Sequence, residues 1–167
     1  MTGAGQVKAR RVSRRASRRR RGVATVEMAI VLPVLVLLLF GTIEIGLLVK
    51  QAHSLNHVAR EGARVASTGA TTSQIQAHME SAAPALDMSR VSSTLEHRSW
   101  DEAFSTWSGW TTMTDVAGEN SAGSGDQIRV QLQYSHQLAT GAMLAGTLNA
   151  SPDNTVALNA TIVSMRE

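Results

Sequence analysis

The chain has 167 residues, 43% of them hydrophobic but only 4% aromatic, so it can build an anchor and one small soluble core but not a large ligand-enclosing one. The formal charge of +3 conceals a steep asymmetry: nine of the sixteen basic residues fall in the first 22, and from Val23 onward seven basic residues face all thirteen acidic ones, a balance of −6. No cysteine is present, which excludes a disulfide framework, a thiolate metal site and a cysteine nucleophile.

The first element in chain order is a basic leader, residues 1–22, carrying Lys8 and eight arginines. An arginine tract can neutralise nucleic-acid phosphate, but the apolar segment directly after it explains the tract without that partner. That segment, residues 23–49, contains sixteen consecutive uncharged residues from Met28 to Ile43, bounded by Glu27 and Glu44. About 20 helical residues cross a hydrocarbon core of about 30 Å, so this is a transmembrane helix in contact with lipid. Nine positive charges before it and a single Lys50 after it set the N-terminus in the cytoplasm by the positive-inside rule. A secretory signal would have the same basic and apolar parts, but no small-x-small cleavage pair lies between Leu39 and Ala52, so the segment is expected to be retained.

The junction between charge and apolarity is Gly22, followed by Val23, Ala24, Thr25, Val26 and Glu27. Glycine leaves the backbone unhindered for a peptidase acting at the membrane surface. On position alone, Glu27 can equally be an interfacial carboxylate that snorkels to the headgroups. Glu44, at the outer edge, reads simply as such an edge carboxylate. Pro33 removes one backbone hydrogen bond inside the apolar helix and is expected to kink it.

Basic leader, Gly, four uncharged residues, Glu and a long apolar helix together resemble the class III signal of type IV-type prepilins. More narrowly, "GVATVEMAIVLPVLVLLLFGTIEIG" and "HVAREGARVAS" resemble the TadE-like minor pilins and pseudopilins of the tight-adherence (Tad/Flp) pilus system. Glu27, Ala29, Leu32, Pro33, Arg60 and Arg64 fill matching positions, whereas Met28 stands where the family usually has an aromatic. The resemblance covers about residues 20–68 and the closing "ALNATIVSMRE". It implies cleavage by a prepilin peptidase between Gly22 and Val23, methylation of the new terminus, and pairing of Glu27 with the N-terminal amine of a neighbouring subunit. It further implies partners among other Tad pilins and inner-membrane assembly proteins, a place in the bacterial cytoplasmic membrane or the pilus, a role in surface adhesion, and neither catalysis nor a cofactor. The alternative is an unprocessed single-pass envelope protein whose outer domain binds a partner or ligand.

Beyond the membrane, residues 50–68 continue the helix, with Leu55, Val58, Ala59, Ala63 and Ala66 forming one small-residue stripe and Gly69 as its stop. Residues 69–167 form the exported domain. Ser73 is expected to cap a second helix that presents Ile75, Met79 and Ala82 and ends at Pro84. Three strands follow from period-2 alternation: Val91, Ser93, Leu95 and His97; then Ile128, Val130, Leu132 and Tyr134; then Val156, Leu158, Ala160 and Ile162. Between the first two, residues 99–125 read as a variable loop with Trp100, Trp107 and Trp110, whose indoles are expected to tuck onto the sheet, and with room for a helical turn near Trp107. The fold class is α+β, a long N-terminal transmembrane helix running into a small domain with a second helix and an antiparallel sheet of about three strands.

Catalytic and metal motifs are weak. His53, His57 and Glu61 share one helical face, but a solvated polar face is the commoner reason for such spacing. His78, His97 and His136 stand isolated in the sequence, "GENSAGSG" is turn-rich rather than phosphate-cradling, and Asn149 and Asn159 sit in N-x-S/T triplets.

Overall fold

A computed structural model of the chain describes residues 15–139 and 150–167, with side chains from Gly22 onward. Most of the basic leader, and Asn149, lie outside the described residues. The chain falls into two compact units, Met1–Phe40 and Gly41–Glu167.

The main element of the first unit belongs to helix α1 (Arg15–Ser67). It begins seven residues before Gly22 rather than at Val23, because arginines are good helix formers and a single glycine costs only about 1 kcal/mol. Its apolar side chains are exposed around the whole circumference, among them Val26, Ile30, Leu35 and Leu39. A helix that is apolar on every face and uncovered by protein is suited to lipid. Pro33 lies inside it.

In the second unit the rest of α1 turns amphipathic. Leu55, Val58, Ala59 and Ala66 are fully buried and Ala63 nearly so, the stripe expected from spacing. Gly69, at φ +89°, closes the helix by donating its N–H to the Ala66 carbonyl at 3.1 Å. Helix α2 (Thr72–Ser81) buries Ile75 and Met79. Its cap is Thr71, not Ser73. Thr71 Oγ1 accepts the Gln74 N–H while Gln74 Oε1 accepts the Thr71 N–H, a reciprocal capping box. Ser73 begins an equally good sequence pattern with Gln76, but Asp115, 43 residues away, takes both the N–H and the hydroxyl of Thr72 and so sets the first turn there.

The sheet has strands β1 (Val91–Arg98), β4 (Thr111–Thr112), β7 (Gln127–Gln137) and β8 (Thr155–Met165), all antiparallel in the order β4-β1-β7-β8. The three long strands are those expected from alternation, and the two-residue β4 is added at one edge. Ile128, Val130, Leu132 and Tyr134 are buried, and Ala160 joins them from β8. The space where a Gly62 Cβ would sit is taken by the Met79 side chain, with Val130 beyond it, so α1, α2 and the sheet meet around Gly62.

The 99–125 segment is more ordered than a plain loop. It folds into two small hairpins, β2 (Trp100–Asp101) with β3 (Thr106–Trp107), and β5 (Asp115–Val116) with β6 (Glu119–Asn120). Trp107 is therefore in a strand, not a helical turn. The β5–β6 turn places Ala117 and Gly118 both at positive φ, the conformation whose twist suits a two-residue hairpin.

Candidate functional site

The sequence-derived site residues all lie on the N-terminal stretch of α1. Gly22 is helical, and a Cβ there would meet open space. Val23 is exposed, and Glu27 is exposed with no hydrogen bond or ion pair among the described residues. Nothing among the described residues of this unit covers these groups.

Glu44 overturns its reading as a plain edge carboxylate. It is buried to 1% exposure in the Gly41–Glu167 unit. His136 Nε2 lies 2.9 Å from its Oε1, and the Ala139 N–H reaches both carboxylate oxygens at 3.1 Å. A buried carboxylate is costly unless paired and hydrogen-bonded; β7 supplies His136 near its C-terminal end, and the chain just beyond the strand supplies the Ala139 amide. His136 is one of the histidines that stood isolated in the sequence; its partner is 92 residues away. Leu138 is buried beside it.

His97 is not isolated either. Its Nδ1 lies 3.3 Å from Asp126 Oδ2 and its Nε2 3.2 Å from Ser121 Oγ. The order Ser–His–Asp is that of a nucleophile, base and orienting acid. The surroundings do not support that chemistry. Ser121 Oγ already accepts the Thr114 N–H at 3.1 Å, and the amides of Ser121, Ala122 and Gly123 donate to Thr114 O, Asn120 Oδ1 and Asp126 Oδ2. Those three amides are therefore held by the turn itself rather than offered to an oxyanion. The trio instead ties the 121–126 turn to β1. His97→Ala is expected to cost about 1–3 kcal/mol, the usual cost of stranding part-buried polar partners, and to speed amide exchange at Ser121 and Gly123. Unchanged exchange at those two amides would refute the tie.

The tryptophans form a second lattice, on the sheet face opposite the helices. Trp100 and Trp107 meet edge to face at 5.3 Å. The Arg98 guanidinium lies 5.3 Å from the Trp107 ring centre and 4.4 Å from that of Trp110, and Arg129 lies 4.2 Å from Trp110. Arg98 donates from Nε and Nη2 to Gln127, and Arg129 Nε donates to Glu96 at 2.8 Å. Trp107 and Trp110 thus tuck onto the sheet as expected, but through arginine rather than aliphatic contact. Trp100 stays 46% exposed.

His53 and His57 are exposed, and the Glu61 carboxylate accepts from Arg64 at 2.7 Å. That hydrogen bond, with the Arg64 charge, holds the Glu61 carboxyl below its usual pKa. The Ser89 hydroxyl and amide do the same for Asp87, which caps a short 3-10 turn. Both carboxylates favour folding above the usual carboxylate range, and that contribution fades as pH falls through their lowered values. Asn159 is exposed on β8.

An exposed apolar helix followed by a small α+β head packed on that helix's own continuation defines a membrane-anchored protein of pilin-like layout. Residues 22–64 match the family model described as TadE-like protein. The stretch from Gly22 to Arg64 is thus similar to the TadE-like family, which points to a Tad pilus-associated component. Neither a curated relative nor a solved structure matches the chain.

Proposed function

We propose that the protein is a minor pilin or pseudopilin of a Tad-type assembly, made as a precursor, cleaved between Gly22 and Val23 by a prepilin peptidase, and active through subunit contacts in surface adhesion. The observation that carries this reading is the family match starting at Gly22, with Glu27 as the fifth residue after it. Cleavage would remove nine positive charges and create an amine at Val23. Glu27 carries no partner among the described residues and so is free to meet such an amine on a neighbouring subunit, neutralising two charges that are expensive in lipid. The helix through Gly22 must open for the peptidase, and glycine lowers the cost of leaving the helical conformation.

On this reading the N-terminus of the precursor lies in the cytoplasm, α1 spans the cytoplasmic membrane, and the head is outside. The partners are the peptidase, other Tad pilins and inner-membrane assembly proteins. Intact-mass measurement on protein from the native envelope should give a chain starting at Val23, and Gly22→Val should leave the full precursor. A mature chain that keeps Met1, or one cut beyond Val49, would refute it. The second reading, an unprocessed anchor, draws on the unbroken helix from Arg15 through Gly22; it requires that the natural chain and Gly22→Val both stay uncut and act alike.

A further inference from the structure

Within the head, α1 and β7 run past each other in opposite senses. Val130 Cγ1 lies 3.6 Å from the place of a Gly62 Cβ, and further down the strand the Ala139 N–H reaches Glu44 at 3.1 Å. From Glu44 to Gly62 the helix rises about 27 Å, and from Val130 to Ala139 the extended chain covers about 30 Å. The end of β7 is therefore the foot of the head, level with Glu44.

The open sides of α1 mark where water begins. Ile43, Ile45, Leu47 and Val49 are exposed and continue the apolar run that starts at Val23. Polar exposure begins at Lys50 and goes on through His53, His57 and Arg60. The change occurs at one level on every side the head leaves open, as at a planar boundary with lipid; a packed partner helix would be matched by an apolar stripe instead. Glu44 lies about 9 Å below Lys50 along the helix, so the foot is on the lipid side of that boundary. Lifting the foot into water would wet Ile45, Leu47 and Val49 with it, which the hydrophobic effect opposes.

The chemistry of the foot sets its depth. Glu44 is the one charge in the sequence between Glu27 and Lys50, and His136 with the Ala139 N–H encloses it, so the head brings its own cover to that carboxylate. The exposed residues at this level are Gln137, Ala139 and Asp153, the last leading into Thr155, which pairs with Gln137. An exposed amide and carboxylate suit hydrated headgroups rather than hydrocarbon.

We propose that the head is seated in the membrane surface: the end of β7 with Ala139, and Ile45, Leu47 and Val49 of α1 beside it, lie within the headgroup layer on the head's side of the bilayer. The partner of this surface is lipid. The inference rests on the reading of α1 as a membrane anchor and not on cleavage at Gly22.

The chain has no cysteine, so single nitroxide labels report depth one position at a time. Leu35→Cys, Val49→Cys, Ala139→Cys and Phe104→Cys versions of the full chain are labelled and placed separately in phosphatidylcholine vesicles. Collision with oxygen, which collects in lipid, is compared with collision with a water-soluble nickel chelate. Phe104 is the reference for water: it is exposed and follows Arg98, which pairs with Gln127 at the opposite end of β7. The oxygen-to-nickel ratio at Val49 and at Ala139 should exceed that at Phe104 by about threefold or more, with Leu35 higher still. A ratio at either position equal to that at Phe104 would overturn the inference. Labels there that are shielded from both reagents and broadened by a neighbouring spin would overturn it in favour of a second copy of the chain. A Leu35 label as wet as Phe104 would overturn the anchor and this inference together. Should Ala139→Cys lose the native tryptophan emission, Gln137→Cys, also at an exposed position, decides in its place.

Discussion

Glu44→Ala is expected to destabilise the Gly41–Glu167 unit by about 3 kcal/mol, the upper end of the scale for leaving buried hydrogen-bonding partners unsatisfied. Two parts of the loss are visible among the described contacts. The Ala139 N–H loses both carboxylate oxygens, and His136, 5% exposed, is left facing a space that no acceptor fills. Glu44→Gln keeps the volume and one carbonyl acceptor, so it should cost about 1–2 kcal/mol, nearer to a single hydrogen bond. Pairing Glu44→Ala with His136→Ala should recover part of the loss, since the histidine no longer needs a partner. Urea unfolding of the full chain in micelles, followed by tryptophan emission, measures all four proteins. A loss below about 1 kcal/mol for Glu44→Ala would show that water replaces the carboxylate and that the pair does not hold α1 to β7.

Gly69→Ala is the second large effect, expected at about 2–3 kcal/mol. At φ +89° an L side chain is strained by about 1 kcal/mol. The position of the missing Cβ is also occupied by the Arg166 guanidinium, which donates from Nη2 to Glu119 at 2.7 Å. An added methyl must displace that group and loosen the C-terminal residues, whose backbone is held by the Glu167 N–H on Ser67 O and by Arg166 on Asp126. Arg166→Ala in the Gly69→Ala background separates the terms. If the clash matters, the double variant should be less damaged than the sum of the singles. If the two effects simply add, the cost of Gly69→Ala is backbone strain alone. The same unfolding measurement decides it.

The two predictions concern groups of opposite legibility. Gly69 was readable as the end of a helix, because a glycine after the last residue of an apolar stripe is the ordinary stop and the stripe itself recurs at helical spacing. Leu55, Val58, Ala59, Ala63 and Ala66 are buried for that reason. Strands β7 and β8 were equally legible from alternation, which assigns one face to the core whatever lies opposite. β1 was less so, since its expected inward row includes the polar Ser93 and His97, and Ser93 is exposed. The membrane helix and the Gly22–Glu27 spacing are likewise local patterns, and the family match falls on that stretch.

Glu44 carried no such signal. Its role depends on the end of β7 arriving beside α1, 92 residues later. The Ser121–His97–Asp126 tie and the tryptophan–arginine lattice also depend on which residues the sheet register places side by side, and nothing in their own neighbourhoods announces it. Thr71 beat Ser73 as a cap through Asp115, a residue on a hairpin that was read as loop. Composition and periodicity alone therefore determined the anchor, the helix stripe and the inward faces of the two long strands, because burial of apolar side chains repeats with the local backbone period. Only the tertiary structure decided the polar partners, because a buried charge or hydroxyl is satisfied by whatever distant group the packing brings within about 3 Å.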